Sequence, residues 1–117
     1  MNIEQLLNME PVDLVDWLVT EFTVDLPKTI KDSDDVKKAI ELNLQLVAYE
    51  SYLNQLLSDA EIYTRNAKRN GPKIEYEDMV DRRFAITNMR DTVKHQREAL
   101  SRSFTYYKNV LDETKLI

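Results

Sequence analysis

From Lys28 to Asn70 the chain carries neither proline nor glycine, and from Lys73 to Ile117 it again carries neither. Only Pro11, Pro27, Gly71 and Pro72 can interrupt a helix through their backbones. The two uninterrupted runs are rich in Leu, Glu, Lys, Arg, Gln and Ala, which favour helix. They predict helices over 34–70 and 75–113, stopped between by glycine at a C-cap and proline just beyond it. Ser33 is the expected N-cap of the first, with Asp34 and Asp35 at the positive end of its dipole and Lys68 and Arg69 near the negative end. At ~1.5 Å per residue that helix spans roughly 55 Å. Two such helices joined by so short a turn fold back antiparallel. A shorter helix is expected from about Ile3 to Phe22, with Pro11 as a restart at a first helical position. The expected fold is all-α: a short N-terminal helix and connector over 1–32, then a long antiparallel, coiled-coil-like hairpin over 33–117 that turns at 71–73.

Apolar spacing supports the hairpin. Ala39, Leu42, Leu46, Tyr49, Leu53, Leu56, Ala60, Tyr63 and Ala67 recur at alternating intervals of three and four, as a coiled-coil seam does. In the last helix Ile86, Met89, Val93, Leu100, Tyr107 and Val110 keep the interval, with polar Gln96 and Ser103 among them. Val36, Ile40, Leu44, Val47 and Leu57 fall beside the first seam, and Phe84, Phe104 and Leu111 beside the second. A hairpin buries one face of each helix, so this surplus predicts self-association. The competing arrangement is a monomeric bundle in which the N-terminal helix lies along the hairpin.

Composition closes several routes to chemistry. One glycine rules out the glycine-rich phosphate loops, and the absence of cysteine removes disulfides, thiol nucleophiles and zinc fingers. The lone His95 has Thr92 three residues before it, so the Glu-x-x-His of a bundle di-metal site is missing. No cofactor and no metal are expected. No apolar run is long enough for a membrane span, and Met1-Asn2-Ile3-Glu4 lacks a signal-peptide pattern. A soluble, cytoplasmic protein with no membrane partner is the expectation.

The net charge of −5 is unevenly placed: residues 1–60 carry −8 and residues 61–117 carry +3. Arg65, Lys68, Arg69, Lys73, Arg82 and Arg83 gather about the turn, and Arg90, Lys94, Arg97 and Arg102 continue along the last helix. Folding about residue 73 sets Glu50 opposite Arg97 as an ion pair, but sets Thr64 opposite Arg83 and Leu57 opposite Arg90. Arg69, Arg82, Arg83 and Arg90 are therefore the candidate nucleic-acid-binding residues. Leu42, Leu46, Tyr49, Leu53, Leu56 and Tyr63 are the candidate core or oligomer seam. Against the phosphate reading stands the ordinary one, a solvated helix surface paired with the acidic half. The acidic half, from Glu10 to Asp35, has two readings of its own: a solvated face, or a surface that fits a basic groove. The tyrosines likewise could stack on bases or fill the seam.

Two resemblances bear on function. Arg90-Asp91-Thr92-Val93-Lys94-His95 looks like the R-D-x-x-x-H signature of HEPN ribonucleases, which would make Arg90 and His95 a paired RNA-cleaving site across a dimer. The motif's usual bulky apolar residues are absent. The stretch from Tyr63 to Phe104, with Tyr76-Glu77-Asp78-Met79-Val80-Asp81-Arg82-Arg83 and Ala99-Leu100-Ser101-Arg102, resembles small helical-hairpin proteins of phage and prophage replication modules. More distantly it is similar to UvsY-type recombination mediators, which are helical, oligomeric and bind single-stranded DNA. That resemblance implies a non-enzymatic, self-assembling protein of DNA metabolism that binds single-stranded nucleic acid or a recombination or replication partner. The alternatives are an anti-CRISPR-like inhibitor of a host defence complex, using the acidic surface, and an HEPN-type ribonuclease.

Overall fold

The structure, a computed structural model, describes residues 1–115 apart from the side chains of residues 74 and 110–115. It holds four helices: α1 (Ile3–Asn8), α2 (Pro11–Phe22), α3 (Ser33–Asn70) and α4 (Lys73–Lys115). The last two form the expected hairpin. α4 begins two residues earlier than expected, because Pro72 carries no N–H and its carbonyl already accepts from Tyr76.

The N-terminal piece is two helices rather than one. Asn2 caps α1 through a reciprocal pair of bonds with Gln5, both 2.9 Å. Met9 and Glu10 then adopt extended backbone and Pro11 starts α2. α1 packs on α3 and α2 on α4. Met1 bonds the Tyr52 hydroxyl through its α-amino group, and Phe22 meets Tyr49 edge-on at 5.0 Å, so both ends of the α1–α2 pair reach the same part of α3. The result is a short helical pair laid on the middle of a long one.

The N-cap of α3 is Asp32, not Ser33: its carboxylate accepts from the Asp35 amide at 2.9 Å. At the other end the Gly71 amide donates to the Ala67 carbonyl at 2.8 Å. Gly71 has φ −103°, so its left-handed freedom goes unused. Its missing Cβ matters for space instead: a Cβ there would lie 3.0 Å from the Ala67 carbonyl oxygen and 3.2 Å from Glu75 Oε2.

The seam is the core. Ala39, Leu46, Leu53, Leu56, Ala60 and Ala67 are buried on α3, with Leu42, Tyr49 and Tyr63 half-buried at its edges. Met79, Ile86, Met89, Val93 and Leu100 answer from α4, and Leu6, Leu14, Leu18 and Phe22 close the cluster from the N-terminal pair. Val110 and Leu111 lie outside the described side chains. Of the surplus apolar residues, Leu57 is buried and Val36 and Phe104 are partly buried, while Ile40, Leu44, Val47 and Phe84 are exposed. The N-terminal pair thus covers the hairpin in part and leaves other faces open. None of the helices among the described residues is long and apolar enough to cross a membrane.

Candidate nucleic-acid interface

Each arginine of the expected surface is fixed by where α4 points it. Met79, Arg82, Ile86, Met89, Val93, Gln96 and Leu100 follow the alternating three–four interval, so Arg82 occupies a seam position. It is 7% exposed. Its Nε donates to the carbonyls of Leu6 and Met9 at 3.2 and 3.3 Å, and one terminal nitrogen donates to Met9 and Leu7 at 2.8 and 3.4 Å. The other terminal nitrogen donates to Asp78 of its own helix at 3.1 Å. The acceptors Leu6, Leu7 and Met9 are carbonyls at the end of α1 and its exit, where helical partners run out; Leu6 also accepts from the Met9 amide at 3.3 Å. Arg82 is therefore a structural pin that caps α1 with its guanidinium fork. It does not belong to an open phosphate-contacting surface, and that expectation is corrected.

Gln96 plays the same part fourteen residues on. Also a seam residue, it donates from Nε2 to the Val24 carbonyl at 3.2 Å. Arg82 and Gln96, two polar residues of the α4 stripe, thus anchor the chain just before and just after α2. The signal was present in the sequence: extending the stripe back from Ile86 by four puts Arg82 in register.

Arg97 pairs with Glu50 as expected, Nε to Oε2 at 2.8 Å, and so fixes the register of α3 against α4. Arg90 was expected to lack an acidic partner across the hairpin. It is half-buried, and its guanidinium turns to Asp91 of its own helix at 3.3 Å. Thr64 and Leu57, the residues opposite Arg83 and Arg90, are both buried. Arg83 is half-buried and Arg69 exposed, and neither makes an ion pair among the described residues. The column of arginines is thereby reduced. The exposed cations of the tip are Arg65, Lys68 and Arg69 on α3 and Lys73 on α4, the last of these 3.6 Å from Glu77.

Compared with known proteins, this chain matches no family model, no curated protein and no solved structure. Function therefore has to be argued from surfaces. His95 is exposed, and a five-residue step places it about 140° around the helix from Arg90. No hydrogen bond joins the two among the described residues, since Arg90 is engaged by Asp91. Among the described residues no group of three or more His, Asp or Glu is placed to hold a metal ion.

Proposed function

We propose that the protein acts by binding rather than catalysis: it self-associates through the outer face of α3 and presents its hairpin tip to single-stranded nucleic acid, or to a protein that processes it, in phage-type DNA metabolism. One observation carries the self-association. From Leu44 through Val47, Ala48, Ser51, Gln55 and Ser58 to Ile62, the outward line of α3 is exposed and contains no charge. Leu44 and Ile62 are 65% and 53% exposed. In a chain whose residues are 32% charged, seven solvated positions would be expected to carry about two charges. Its small residues let a second helix approach closely, and an antiparallel copy centred on Ser51 would set Leu44 beside Ser58 and Ile40 beside Ile62.

The nucleic-acid part rests on the resemblance of residues 63–104 and on Arg65, Lys68 and Arg69, which sit together near the end of α3. Sedimentation tests the first part: the protein should run at twice its 13.8 kDa mass or more, and Leu44→Glu should return it to monomer. An oligonucleotide shift assay tests the second. Changing Arg65, Lys68 and Arg69 together to glutamate should abolish binding, and wild-type affinity should fall steeply with salt. A wild-type protein that ignores single-stranded DNA and RNA at low salt would leave the protein partner as the ligand.

A further inference from the structure

The first 27 residues hold Glu4, Glu10, Asp13, Asp16, Glu21 and Asp25 but no lysine or arginine. Within them α2 buries Leu14, Leu18 and Phe22 and leaves Val12, Val15 and Val19 outside, 72%, 46% and 51% exposed. Intervals of three and four make these valines one stripe. Across a groove of about 340 Å³ lie Phe84 and Met89 of α4, Phe84 being 67% exposed. Val15 also borders a second hollow with Val12 and Asp16, and Asp81 a third with Glu77. Asp81 thus lines the groove, Asp16 and Glu77 stand in the neighbouring hollows, and no lysine or arginine lines any of the three. Lys73 partly answers Glu77, but Asp16 and Asp81 have no ion-pair partner among the described residues.

The chemistry of an occupant follows from these two features. An apolar floor with an acidic rim repels a nucleic acid and gives a free anion nothing to hold. It suits a helix that lays apolar residues at i, i+3 or i+4 and i+7 into the groove and sets lysines or arginines against the rim. We propose that the α2–α4 groove is a docking site for a basic amphipathic helix of a partner protein, with Phe84 and the valine stripe as the apolar contact and Asp16 and Asp81 as the charge contacts. This surface lies apart from the uncharged line of α3, so it does not rest on self-association through that line.

The test uses the full chain and two labelled helical peptides of identical amphipathic spacing, one of leucine and lysine and one of leucine and glutamate. The lysine peptide should bind and the glutamate peptide should not. Phe84→Ala with Asp81→Lys should weaken binding at least about tenfold, through the loss of one central apolar anchor and the reversal of one charge. Both sites are exposed, so unchanged circular dichroism shows that the fold is kept. Asp34→Lys with Glu41→Lys, a charge change of the same sign at two exposed residues in the first turns of α3, should leave affinity within about twofold. Amide chemical-shift changes on titration should fall on α2 and on 81–92 of α4. Equal weakening by both double variants would mean diffuse attraction to an acidic protein and overturn the site, as would no binding of the lysine peptide. A dimer that dissociates on Phe84→Ala would make a second copy the occupant and overturn it too.

Discussion

Arg82 is a charged residue inside a hydrophobic seam, and its burial is tolerated because its donors meet backbone carbonyls. Removing it takes this donor from the part-buried carbonyls of Leu7 and Met9, while Leu6 keeps the Met9 amide. Arg82→Leu should cost about 1–3 kcal/mol in urea unfolding, with the largest loss of amide-exchange protection in α1. Arg82→Lys should recover only part, since a point charge cannot span the Leu6, Leu7 and Met9 carbonyls as a planar fork does. Oligonucleotide affinity should be indifferent to Arg82→Leu, which removes the charge and so separates a pin from a phosphate contact. Leu53 is 0% exposed at the centre of the seam. Leu53→Ala should cost roughly 2–5 kcal/mol, read as a lowered denaturant midpoint. The Glu50–Arg97 pair is a lesser stabiliser at ~0–1 kcal/mol, because the Arg97 side chain is 37% exposed and screened by water.

Among elements, α3 shows how capping residues divide the labour. Lys31, Asp32 and Asp35 form a small network: Asp32 accepts from the Asp35 amide and Asp35 accepts from the Lys31 amide. Asp32→Ala should therefore cost about 0.5–2 kcal/mol, while Ser33→Ala, one residue inside the helix, should be close to neutral. Thermal melts of the two variants decide between the two caps. The N-terminal pair is the other element with a clear logic. α1 has six residues, too few to be stable alone. It persists because Leu6 is buried, Asn2 caps its start and Arg82 caps its end.

The whole molecule is a rod of 69 × 22 × 16 Å with a radius of gyration of 18.9 Å. A compact domain of this length would have a radius near 13 Å. A rod exposes much of its surface, and here part of that surface is apolar: Ile40, Leu44 and Val47 on α3, Val12, Val15 and Val19 on α2. If copies pair along α3 about Ser51, the mass doubles while the length hardly changes. Small-angle scattering should then give a maximum dimension still near ~70 Å at the dimer mass, whereas end-to-end pairing would approach twice that. The side-by-side result is expected, since an antiparallel pairing about Ser51 overlaps the long helices.

The hairpin was legible because its causes are local. Within 28–117 breakers occur only at Gly71 and Pro72, and a three–four apolar interval needs no partner to be recognised. Leu46, Leu53 and Leu56 are buried as that interval requires, and the Glu50–Arg97 pair follows from a turn whose position the sequence marks. The candidate site was less legible, because charge says nothing of direction. Arg82 and Arg83 are adjacent and equally basic, yet one is 7% exposed beneath α1 and the other is half-buried without an ion-pair partner among the described residues. Only the packing of the N-terminal pair decided that, by bringing backbone carbonyls more than seventy positions away to the guanidinium. The same packing chose which surplus apolar residues stay open. Long-range docking is set by the summed complementarity of whole faces, and no single spacing along the chain encodes it.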